Sequence, residues 1–233
     1  MKHKLLFLFL LLAMFASCGC KEGRTIEIRG ERVFALHVPR ILRENTRSGR
    51  RVALTFDDAP NGHTQAILAV LSEFQVRATF FLIGTQVLRH PEVARSIVMA
   101  GHEIGNHSFS HALTGGCSEE DVQEDIARAE KVILEVTGCL PLYFRPPAGL
   151  VTQSVQRACG RLGYSLVLWS VDSGDWKAQS DDAIVAHVLE NVRPGAIILF
   201  HPLPCTVRVL PRILRALGEK GYEIVPLSVL FER

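Results

Sequence analysis

From Arg51 onward the chain alternates short apolar runs with longer amphipathic stretches, and this constrains the fold more than any other feature of its 233 residues. Val52 to Phe56 reads as a strand. His63 to Phe74 reads as a helix, with Ile67, Leu68, Leu71 and Phe74 at helical spacing, and Ala78 to Ile83 as an aromatic-rich strand. Pro91 to Ala100 reads as helix and Glu103 to Asn106 as extended. Ser118 is expected to cap a helix running to about Val136, with Asp121 at capping-box distance and Gly138 as its stop. Strands are expected near Leu142 to Phe144, at Ser165 to Trp169, at Ala196 to Phe200 and at Glu223 to Pro226. Helices are expected between them at Thr152 to Leu162, Asp181 to Val192 and Val207 to Lys220. Such repeated units predict a parallel α/β sheet, open or closed into a barrel, with its chemistry at the carboxyl ends of the strands.

The segment before Arg51 has a different character. Lys2, His3 and Lys4 precede an apolar run from Leu5 to Phe15 and small residues at Ala16 and Ser17, the pattern of an export signal over residues 1–20. That run is short for a membrane span, which needs roughly 20 apolar residues. Phe15-Ala16-Ser17-Cys18 resembles a bacterial lipobox, with Phe15 where that motif usually has Leu. The resemblance implies membrane attachment through a lipidated Cys18; the alternative is free secretion after cleavage.

Residues 21–51 hold nine basic residues against four acidic, and 21–50 read as a basic stalk before a domain at 51–233. Removing Lys2 and Lys4 with the signal leaves 24 residues of each sign, so the mature chain is formally neutral. A mildly acidic domain behind a basic stalk argues against nucleic-acid binding, which needs a basic face on the folded unit. An oxidising compartment permits disulfides among Cys117, Cys139, Cys159 and Cys205, none at zinc-finger spacing.

Five polar motifs fall after expected strands. Thr55-Phe56-Asp57-Asp58-Ala59-Pro60 places two acids where burial is costly without a neutralising partner. His107-Ser108-Phe109-Ser110-His111 spaces two imidazoles so that a helical or tightly turned segment can aim both at one metal. Arg145-Pro146-Pro147-Ala148-Gly149 joins a stiff loop to the side chain best suited to hold a carboxylate. Asp172-Ser173-Gly174-Asp175-Trp176 and Ile198-Leu199-Phe200-His201 complete the set. Taken singly, each has an ordinary reading as a turn, a cap or a surface histidine. Five such motifs, all at strand ends, fit one shared site.

In that order the motifs resemble those of the polysaccharide deacetylases with NodB homology, carbohydrate esterase family 4, over about residues 51–230. The resemblance implies a distorted (β/α) barrel of about seven strands. It implies one divalent metal, zinc or cobalt or another divalent ion, held by Asp58, His107 and His111. Asp57 would be the base on the attacking water, oriented by Arg145, and His201 the acid for the leaving amine, backed by Asp175. The backbone N–H of Ala148 would stabilise the oxyanion, and Trp176 and Leu199 would line the acetyl pocket. The substrate implied is an acetylated glycan of the cell-wall type, outside the cytoplasmic membrane.

The chain departs from the family at Ala59, where Gly is common, at Ala148, where Tyr is usual, and at Pro202, where an acid often follows the histidine. Losing the Tyr ring removes a wall of the sugar groove and spares a main-chain N–H. Competing readings are a small-molecule amide hydrolase of the same fold and a glycan-binding lipoprotein without turnover. A two-carboxylate glycosidase fits poorly, because its acids flank the bond about 5–9.5 Å apart.

Overall fold

The computed structural model describes residues 25–28, 31–34, 39–112, 116–177 and 179–232. The export segment with Cys18 and Cys20 lies outside the described residues. Among those described, no helix is long and apolar enough to cross a membrane.

Strands β1 (Thr25–Ile28) and β2 (Glu31–Phe34) form an antiparallel pair. The main sheet contains β3 (Ile41–Leu42), β4 (Arg51–Ala59), β5 (Thr79–Leu82), β6 (Glu103–Asn106) and β7 (Tyr143–Phe144). It continues with β8 (Ser165–Val167), β9 (Val171–Asp172), β10 (Ile197–Phe200) and β11 (Glu223–Ile224). Its order is β3-β8-β7-β6-β5-β4-β10-β9, with β11 on β4 and all pairs parallel. The sheet curls on itself, and an antiparallel bridge from Glu44 to Ala196 joins the region after β3 to the start of β10. This is the expected distorted barrel, incompletely closed.

Helices α1 (Thr64–Glu73), α2 (Gly84–Arg89), α3 (Pro91–Met99), α4 (Glu119–Thr137), α5 (Gln153–Leu162), α6 (Asp181–Asn191), α7 (Pro204–Glu219) and α8 (Leu227–Leu230) accompany the strands. Ser118 and Asp121 form the expected capping box on α4, and Gly138 ends that helix in the left-handed conformation.

Three expectations differ from the structure. Part of the stalk is sheet, since Ile41 and Leu42 pair with β8. Strand β4 runs on to Ala59, so the acid pair lies inside the strand. Helices α2 and α8 and strand β9 were not expected; six, four and two residues are too few to display a period.

Side-chain alternation in β4 explains the placement of the polar groups. Val52, Leu54 and Phe56 point outward, where they pack with helix residues such as Ile67, Leu71 and Ile213. Ala53 points into the curled sheet beside Phe81, Val167 and Ile197, with Leu227 and Leu230 of α8 in the same cluster. Period-two alternation carries Thr55 and then Asp57 along this inner face toward the carboxyl mouth. Gly105 is required on the same face, because a Cβ there would run into the Phe81 ring.

His102 supports the fold from an outer position. Its Nδ1 accepts from the Ala78 N–H at 3.2 Å, and its ring meets Phe80 edge-on at 5.3 Å. Burial, and then the charge of Arg77, lower its pKa to about 4. A folded-state value below the unfolded one means the unfolded chain binds the extra proton. Stability is therefore complete above pH ~6.5 and declines as pH falls toward 4, by about 3 kcal/mol. Urea unfolding of wild type and His102→Asn at pH 7 and 4 is expected to show this excess acid sensitivity in wild type alone.

Candidate active site

The site begins with an irregularity in β4. Its pairing with β5 shifts register between Phe56 and Ala59, and Asp58 has φ 63. In a regular strand Asp57 and Asp58 would face opposite sides. The bulge interrupts that alternation, and both carboxylates line one cleft at the mouth of the sheet.

Asp57, 3% exposed, is held from inside the barrel by Arg145, which is fully buried. Arg145 Nη1 donates to Asp57 Oδ1 at 2.7 Å and to Thr55 Oγ1 at 2.9 Å. Its Nη2 and Nε donate to the carbonyls of Leu168 and Val167 at 2.9 and 3.3 Å. The guanidinium also lies 4.2 Å from the Phe81 ring centroid and 5.6 Å from that of Trp169. Thr55 in turn donates to the Ile198 carbonyl at 2.8 Å. The arginine is thus pinned on every side, and one oxygen of Asp57 is fixed while the other faces the cleft.

His107 and His111 come from the loop after β6. Both Ser108 (φ 69) and His111 (φ 57) are left-handed, a turn tight enough to bring the rings to 5.1 Å between centroids. The loop is held on both sides. Ser108 Oγ accepts from the His111 N–H at 3.0 Å, and Asn106 Oδ1 accepts from the Ser108 N–H at 2.9 Å. Asp125 of α4 accepts from the N–H groups of Phe109 and Ser110 at 2.7 and 3.2 Å, and from the Ser110 hydroxyl at 2.7 Å.

His107 Nδ1 lies 2.7 Å from the Arg145 carbonyl, which can only accept. That contact fixes the proton on Nδ1 and leaves the Nε2 lone pair for the cleft. Nε2 of His107 and of His111 stand 3.4 and 3.3 Å from Asp58 Oδ1. This oxygen is buried and has no hydrogen-bond partner among the described residues. Burial pushes the Asp58 carboxyl up, but contact with and charge on His107, then His111 and His201, bring it below its usual range. Ligand atoms of Asp58, His107 and His111 all lie within 4.8 Å of one another. Two imidazole nitrogens and an orphaned carboxylate oxygen fit a divalent cation with room for further ligands.

His201 lies across the cleft. Its Nδ1 meets Asp175 Oδ1 at 2.9 Å, and its backbone N–H donates to Oδ2 at 2.7 Å. Asp175 is braced by the Thr206 hydroxyl at 2.6 Å. Burial pushes the His201 pKa down, but the hydrogen bond to Asp175 and the charges of Asp175, Asp57 and Asp58 outweigh it and raise the value. Asp57, Asp58, His107, His111, Ala148, Trp176, Leu199 and His201 all line one cleft of about 610 Å³. Arg145 and Asp175 support it from behind.

Several lining or supporting residues were not singled out from sequence. Trp169 ends the expected strand Ser165 to Trp169 and forms a wall of the cleft. Gly149, which the sequence does mark as the end of the Arg145–Gly149 motif, has φ 67 and packs under it, with the Trp169 ring 2.8 Å from where a Cβ would stand. Thr206 and Asp125 lie on helices and touch the site only through the fold. A further signal is backbone strain: of five non-glycine residues with positive φ among those described, Asp58, Ser108, His111 and Ala148 belong to this site.

Residues 44–167 match the family model described as polysaccharide deacetylase. The chain is 39% identical to a chitooligosaccharide deacetylase of Bradyrhizobium sp. over 78% of its length and 90% of that protein's. It is 37% identical to a peptidoglycan-N-acetylglucosamine deacetylase of Bacillus cereus over 77% of its length and 87% of the relative's. Among solved structures it resembles BA3943 of Bacillus anthracis, described as a CE4 family pseudoenzyme. The TM-score is 0.80 and the identity 29%, covering 83% of this chain and 69% of that one.

Proposed function

The chain belongs to the polysaccharide deacetylase family, and from that premise we propose that it is a metal-dependent hydrolase removing acetyl groups from an N-acetylated cell-wall-type glycan. One observation carries the reading. The orphaned oxygen of Asp58 converges with two histidine nitrogens beside an arginine-held Asp57 and an aspartate-backed His201, all in one cleft. Because a structural neighbour is described as a pseudoenzyme, the fold alone does not carry the assignment; the complete residue set does.

Asp58, His107 and His111 would hold the ion, and zinc suits two imidazoles and one carboxylate. When bound, the ion would supply Lewis acidity that makes water a nucleophile near neutral pH. Asp57 takes the proton of the attacking water, its position fixed by Arg145. His201, protonated with help from Asp175, gives a proton to the departing amine as the C–N bond breaks. The N–H of Ala148, on a left-handed turn beside the cleft, is the proposed donor to the developing oxyanion. Trp176, Leu199 and Trp169 supply apolar surface for the acetyl methyl group. The sequence pattern of an export signal and the peptidoglycan-directed relative support action outside the cytoplasmic membrane. Mass spectrometry of an N-acetylglucosamine oligomer and of peptidoglycan strands after incubation is expected to show loss of acetyl and a free amine; both substrates left intact would refute the reading.

The role of His201 sets a pH dependence. The acid must be protonated, and Asp175 raises the pH at which it lets go of its proton. Asp175→Asn is therefore expected to move the alkaline limb of the kcat/KM profile to lower pH. An unmoved limb with uniformly reduced activity would assign Asp175 a packing role only.

A further inference from the structure

The catalytic cleft continues past Asp58 and His111 into a second cleft of about 550 Å³. The two share Asp58, Asn61 and His111, so a molecule seated in one abuts the other. The new walls are largely polar: Thr85, Gln86 and Arg89 from α2, with Ser110 from the histidine loop. Arg89 is exposed and has no hydrogen bond or ion pair among the described residues. Some exposed arginines are matched with acids, as in Arg95 with Glu92, and others such as Arg77 and Arg215 form no ion pair among the described residues; Arg89 differs from these in lining the cleft that adjoins the catalytic one.

We propose that this second cleft is a subsite for the sugar unit next to the one deacetylated, and that Arg89 binds a carboxylate on that unit. The inference rests on the deacetylase reading and narrows its substrate class to an acidic glycan. A guanidinium presents a planar fork that matches a carboxylate in two parallel hydrogen bonds, whereas a neutral sugar needs no such group. The two named relatives divide on this chemistry. A chitooligosaccharide carries no carboxylate, while peptidoglycan carries one on alternate sugars, either as a free lactyl acid or on the attached peptide.

The test is kcat/KM for acetate release by the full zinc-loaded chain on three substrates. These are a neutral N-acetylglucosamine oligomer, peptidoglycan strands bearing stem peptides, and strands whose stems an amidase has removed to leave lactyl acids. In Arg89→Gln, the ratio of an acidic substrate to the neutral one is expected to fall about tenfold, with partial recovery in Arg89→Lys. The acidic substrate that loses most identifies the carboxylate. An active wild type and an unchanged ratio in Arg89→Gln would overturn the subsite alone. A wild type inactive on all three would overturn the deacetylase reading and this inference with it.

Discussion

Asp57→Asn is expected to lower kcat for acetate release by roughly 10²–10⁴-fold, the usual contribution of a positioned general base. The amide keeps the shape of the carboxylate and can still accept from Arg145, but it cannot take a proton from water. Zinc binding is expected to persist, because Asp57 is outside the Asp58, His107 and His111 set. The same substitution should reduce stability. Arg145 is fully buried, and Asp57 supplies the charge opposite it at 2.7 Å. Removing one member of a buried pair costs about 3–5 kcal/mol. For a domain of this size that corresponds to a fall in melting temperature of about 10 °C. Kinetics at a temperature where the variant is fully folded, beside a thermal melt, separate the two effects. A folded variant with nearly wild-type kcat would reduce Asp57 to a counter-ion for Arg145.

His107→Ala should have the other large effect, because it removes a ligand whose position the fold controls closely. Its Nδ1 is tied to the Arg145 carbonyl and its Nε2 points at Asp58. Without it the ion has two side chains left, one of them on the exposed part of the loop. Lewis-acid assistance is worth several kcal/mol, so losing it should reduce turnover on the order of 10³-fold or more. Bound zinc should fall well below one equivalent in the purified variant. Equal zinc content and equal turnover in His107→Ala and wild type would remove this histidine from the centre.

Much of this was legible in the chain because the chemistry sits at strand ends, and strand ends are marked by abrupt changes from apolar to polar residues. Asp57, Asp58, Arg145 and His201 each follow such a change. What escaped is informative. Strands β3 and β9 are two residues each and carry no period. The bulge that turns Asp58 toward Asp57 depends on φ 63, which an aspartate does not advertise. Asp125 and Thr206 are ordinary helical residues in sequence; only packing brings one against the histidine loop and the other against Asp175. Arg89 occupies the last turn of a helix too short to be expected, so nothing local hinted that it lines a cleft.

The most direct test is acetate release from an N-acetylated glycan before chelation, after chelation and after stoichiometric zinc is restored. Release that disappears with the metal and returns with about one equivalent of zinc per chain is the predicted result. Release that continues undiminished in the metal-free protein would contradict the assignment of Asp58, His107 and His111 as the centre of the reaction.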